Sequence, residues 1–144
     1  MLVLCGAILL GCSSDKIRDL SGHPPFNAYV GRTVHLLEPV YLMYEDFWTG
    51  PEYGISTAPI TGEENYPLRV GHPIYIDSVK LNLAFTPYLL AHGHTFVPAL
   101  GKEMPVHFYW GDLKVLDRAP WEPKTLPEIR TINDPALLRS IQTI

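Results

Sequence analysis

The side chains in this 144-residue chain most suited to metal chemistry are its six histidines. His92-Gly93-His94 places two imidazoles two residues apart, and on a strand such residues face the same way. If the segments 88–97 and 105–110 form a hairpin with Val97 opposite Val106, His94 stands opposite Tyr109 and His107 opposite Phe96. His92, His94 and His107 then share one face. Three imidazoles on adjacent strands are the ligand set of an open zinc site. A slip of one residue would send His107 to the other face. No carboxylate lies close in sequence to orient the ligands from behind. The competing reading is three surface or half-buried histidines. His23, His35 and His72 are scattered and suggest no site.

Aromatic residues are the second candidate. Tyr41, Tyr44, Phe47, Trp48 and Tyr53 crowd into twelve or so residues, with Trp110 further on. Faces such as those of Phe47, Trp48, Tyr53 and Trp110 can stack on a glycan, a small ligand or a partner peptide, or else fill the open end of a small core. The acid pairs Glu45-Asp46 and Glu63-Glu64 read as solvated loop, because adjacent strand residues point opposite ways and the spacing fits no calcium loop. There is no Gly-x-Ser-x-Gly turn and no phosphate-binding glycine loop. An enzyme therefore has no support in the sequence.

Short strands must position these residues. Fourteen prolines spread along the chain argue against a helical bundle, since proline removes a backbone donor and breaks helix interiors. Strands are expected at 32–37, at 40–44, and from 73 to 85. In the last, Ile74 and Ile76 share one parity and Val79, Leu81, Leu83 and Phe85 the other, which demands a bulge near Asp77-Ser78. The hairpin 88–97 and 105–110 follows, joined through 98–103, and a short strand at 113–116. The stretches 45–71 and 117–131 read as long Pro/Gly-rich loops. Asp134-Pro135 opens a short C-terminal helix, with Asp at the N-cap and proline at the first helical position. Its apolar residues are Leu137, Leu138, Ile141 and Ile144. Val79, Leu81, Leu83, Phe85, Val106 and Phe108 should be core. The fold class is mainly β: a small antiparallel barrel or sandwich.

Residues 1–11 carry no charge and form an apolar run of roughly ten residues, half of what a membrane span needs. The run ends in Leu9-Leu10-Gly11-Cys12, followed by Ser13-Ser14-Asp15-Lys16. This resembles the lipobox of bacterial lipoproteins, with Leu9, Gly11 and Cys12 matching and Leu10 larger than usual. No Lys or Arg precedes the run, so an upstream start is expected. The resemblance implies acylation of Cys12 and removal of residues 1–11. Residues 12–28 then form a Ser/Pro/Gly-rich lipidated tether, and 29–144 a single β-rich domain. Several buried acyl chains anchor stably, at about 0.8 kcal/mol per methylene. Cys5 leaves with the signal, so the mature chain has no disulfide. Ser13 after the cysteine implies the outer membrane by the family's sorting pattern, with the domain facing the periplasm.

The run 70–111 also loosely resembles the SH3-like barrels of uncharacterised envelope lipoproteins, through Gly71-His72-Pro73-Ile74-Tyr75-Ile76 and Val106-His107-Phe108-Tyr109-Trp110-Gly111. That likeness carries no active site. A net charge of -4 gives no electrostatic footprint for nucleic acid. The expected function is a non-catalytic envelope module whose partners are the membrane, through its lipid, and another envelope protein or peptidoglycan. The alternatives are a zinc protein using His92, His94 and His107, and a binder of glycans or small ligands through its loop aromatics.

Overall fold

The computed structural model describes residues 16–47, 50–59, 61, 64–83, 87–112, 114–132 and 134–142. It is mainly β, with a single sheet and a short C-terminal helix. Ten strands are present among the described residues: β1 Ile17–Asp19, β2 Arg32–His35, β3 Val40–Phe47, β4 Gly50–Ser56, β5 Asn65–Leu68, β6 Pro73–Asn82, β7 Tyr88–Val97, β8 Lys102–Gly111, β9 Leu116–Asp117 and β10 Ile129–Arg130. The main path runs β1-β6-β7-β8-β4-β3-β5; β2 also pairs with β6, and β9 links β8 to β10. All pairs are antiparallel except β4 with β8, which run parallel with Tyr53 opposite Val106 and Gly54 opposite His107. The intervening strands supply the long crossover that a parallel pair requires.

The expected break in β6 is present. Its register shifts between Ile76 and Ser78, and Ile74, Ile76, Val79 and Leu81 are all buried. The strand can therefore serve β2 with its first half and β1 with its second. Gly93 makes the bulge fit, because a Cβ there would lie 2.2 Å from the Tyr75 carbonyl oxygen.

The β7–β8 hairpin is tighter than the sequence suggested. Val97 pairs with Lys102, not Val106, and Gly101 closes the turn at φ 64°. Lys102 and Glu103 read as loop because they are charged; they are the exposed start of β8. The slip is four residues. An even slip keeps every side chain on its expected face.

Three segments expected to be irregular are ordered. The stretch 45–71 contains β4 and β5. Its Pro67 is tolerated because β5 ends the strand path and pairs on one side only among the described residues. The expected tether instead enters the domain at Ile17: β1 pairs with β6, and Leu20 and Phe26 are buried. Two isolated apolar residues show no periodicity, so the sequence hid this. The 117–131 segment buries Ala119, Trp121 and Glu122 and forms the β9–β10 pair.

These segments meet around Trp110, which is fully buried. Its ring packs edge-on against Phe26 at 5.0 Å and Trp121 at 5.3 Å, with Phe108 at 6.2 Å. Trp110 Nε1 donates to Glu122 Oε1 (3.1 Å), which also accepts from Ala119 N (2.9 Å) and Arg130 Nη2 (2.5 Å). Val79, Leu81, Val106 and Phe108 are core as expected; Leu83 is partly buried against it, and Phe85 lies outside the described residues.

Helix α1, Pro135–Gln142, starts where expected. Asp134 Oδ1 accepts from Ala136 N (2.9 Å) and Leu137 N (3.2 Å), while Oδ2 meets His23 Nε2 at 2.8 Å. Leu137 is buried. No described helix is long and apolar enough to cross a membrane.

Candidate functional site

Alternation along β7 and β8 sends Leu89, Ala91, Val97, Val106, Phe108 and Trp110 inward. It leaves Tyr88, Leu90, His92, His94, His107 and Tyr109 on the outer face. His92 and His107 are direct cross-strand partners, and Ser78 of β6 and Gly54 of β4 extend that row. The three candidate imidazoles thus share a face, as the period-two reading required.

Carboxylates occupy that face with them. His107 Nδ1 lies 3.1 Å from Glu52 Oε2, and Nε2 lies 3.0 Å from Glu45 Oε2. A neutral imidazole has one N–H donor, so both contacts are hydrogen bonds when each ring nitrogen carries a proton or when one of the two carboxyls does. His107 is 5% exposed although it points away from the core. Gly54 explains how. It has no side chain, and Glu45 reaches across it from β3: a Cβ there would fall 2.8 Å from Glu45 Oε1 and 3.2 Å from His107 Nε2.

Burial holds the His92 imidazole below its ordinary range, reinforced by the neighbouring His107 and Lys80 and opposed by Glu52 and Asp77. His94 is engaged elsewhere. Its Nδ1 lies 3.0 Å from Asp77 Oδ2, its Nε2 3.6 Å from Glu103 Oε1, and its ring tilts against Tyr75 at 5.0 Å. Among the described residues, no group of three or more His, Cys, Asp or Glu side chains is placed to hold a metal ion.

A groove of about 290 Å³ opens beside this row, lined by Glu45, Tyr88, Leu90, His107 and Tyr109. The Tyr88 and Tyr109 rings stack at 5.9 Å and 29°. Asn82 Nδ2 donates to the Tyr88 hydroxyl (2.9 Å) and fixes that wall. Tyr109 is half exposed.

Of the aromatic candidates, Tyr53 and Trp110 take the core-filling alternative and not the stacking one. Trp110 is buried, and Tyr53 is 7% exposed with its ring edge-on to Tyr44 and Tyr66. Neither offers a stacking face. Cys12, Trp48 and the Phe47 side chain lie outside the described residues. Glu45, read from sequence as solvated loop, belongs to β3 and bonds a buried histidine. Tyr88 and Tyr109 went unremarked as ligands, yet they share parity with His92 and His107, and that parity was the available signal. Glu45 and Glu52 gave none, because their approach depends on β4 pairing parallel to a strand some fifty residues later.

No family model, no curated protein and no solved structure matches this chain.

Proposed function

We propose that this chain is an envelope lipoprotein, anchored by acyl chains on Cys12, whose β-rich domain is a non-catalytic interaction module at the membrane surface. The observation that carries the reading is Leu9-Leu10-Gly11-Cys12 at the end of the uncharged apolar run. Where the domain begins adds support. Ile17 already pairs with Asn82, so only residues 13–16 separate the anchor from the sheet. Even fully extended, that connection reaches at most about 18 Å. The domain is therefore held close to the lipid surface instead of on a long leash, which favours a partner that is itself membrane-embedded or membrane-bound. The outer face, with its groove and half-exposed Tyr109, is the surface offered to that partner.

Cell fractionation of the wild type and of Cys12→Ala tests the anchor. The wild type should sediment with membranes and the variant should appear in the soluble periplasmic fraction. An unchanged distribution overturns the proposal.

A further inference from the structure

We propose that the groove lined by Glu45, Tyr88, Leu90, His107 and Tyr109 receives a guanidinium side chain, an arginine presented by a basic segment of the partner protein. Its size sets the first limit. At about 290 Å³ it lies at the lower edge of ligand pockets, with room for one long side chain and none for a polymer or a cofactor.

Its chemistry sets the second. Leu90 and the stacked tyrosines form an apolar wall for a methylene stem, and a tyrosine face attracts a cation through its quadrupole. Glu45 stands at the polar end with its side chain 42% exposed. A carboxylate has acceptor sites for about four hydrogen bonds, so its contact with His107 leaves capacity for a ligand. Even with a doubly protonated ring, Glu45, His107 and Glu52 together carry one net negative charge. Asp77 and Glu103 add negative charge further along the face, around His94, while Lys80, opposite Leu90, puts one positive charge beside the groove. A planar guanidinium can stack on a ring and bind a carboxylate with two parallel bonds, which an ammonium cannot do.

The protein source of the cation rests on the interaction-module reading; the groove's preference for a guanidinium does not. The test uses the full chain in detergent and nitrogen-15 amide spectra. N-acetyl-arginine amide should give saturable shifts at Tyr88, Leu90, Tyr109 and Glu45, and the neutral isostere N-acetyl-citrulline amide should give none. Glu45→Gln and Tyr109→Ser, both at solvent-facing positions, should each weaken the response at least fivefold while the remaining spectrum stays folded. Free arginine separates the sources, because its own carboxylate meets Glu45 and Glu52 and should weaken binding several-fold relative to the amide. Free arginine binding more tightly would assign the groove to a small metabolite and overturn the partner-protein source. Absence of shifts with the amide, or equal shifts with citrulline, overturns the guanidinium site itself. Neither result bears on Cys12, since membrane association plays no part in the measurement.

Discussion

Glu122 is the buried acid on which the aromatic core closes, and replacing it should cost much of the domain's stability. Its side chain is fully buried, and one oxygen accepts from Trp110 Nε1, Ala119 N and Arg130 Nη2. Glu122→Ala leaves two buried N–H donors unpaired, at about 1–3 kcal/mol each. It also strands the Arg130 guanidinium, whose side chain is only 18% exposed. A loss of about 3–5 kcal/mol follows, in line with breaking other buried ion pairs. Whole domains of this size are stable by about 5–15 kcal/mol, so Glu122→Gln is the safer probe. Its amide oxygen can still accept from Trp110 and Ala119, and only the charge is lost, for about 1–3 kcal/mol. Arg130→Met strands the carboxylate instead. The double variant should be more stable than the sum of the singles implies, by about 1–3 kcal/mol. Urea unfolding followed by tryptophan fluorescence measures all three, because Trp110 and Trp121 pack at 5.3 Å. A second readout is independent. Burial, aided by Glu122, holds the Tyr29 phenol above its ordinary range, so Glu122→Gln should bring that titration down. A Glu122→Gln stability within about 0.5 kcal/mol of wild type, or strictly additive singles, refutes the reasoning.

Three further outcomes follow from the geometry. Gly93→Ala should destabilise by about 1–3 kcal/mol or more, since its Cβ meets the Tyr75 backbone at 2.2 Å; Gly54→Ala meets the flexible end of Glu45 at 2.8 Å and the buried His107 ring at 3.2 Å, so it should lower the urea midpoint as well, but by less than Gly93→Ala. His92 is held below 6.5 by burial, so the unfolded chain takes its proton first as the pH falls. Its contribution is intact above that value and is lost as pH drops from 6.5 toward the lowered one, so His92→Gln should show a shallower loss between pH 7.5 and 5; equal slopes contradict this. Hydrogen bonds from Leu137 N, His23 and Ala136 N hold Asp134 below 3.8, so its stabilisation is present above that value and disappears as pH falls through the lowered one. Asp134→Ala should speed hydrogen exchange at the Leu137 and Leu138 amides at neutral pH, and unchanged exchange would count against the cap.

What could be read from the sequence depended on how local the cause was. The β6 bulge was legible because Ile74, Ile76, Val79 and Leu81 switch parity within eight residues. The Asp134-Pro135 helix start was legible because a cap acts within one turn. The shared face of His92 and His107 survived a wrong register because the error was even. Non-local causes stayed hidden. Gly54 looked like a loop breaker, yet it is the space over which Glu45 reaches His107. Phe26 looked like part of a tether until Trp110, eighty-four residues later, packed against it. Glu45 and Glu52 face each other across the β3–β4 hairpin, but they reach His107 only through the parallel β4–β8 pair, for which the sequence carries no periodic mark.

The anchor is tested most directly by the intact mass of the chain taken from its native membranes. Cleavage between Gly11 and Cys12, with the added mass of a diacylglyceryl group and an N-acyl chain on Cys12, is the expected spectrum. A free Cys12 thiol with residues 1–11 still attached would contradict it.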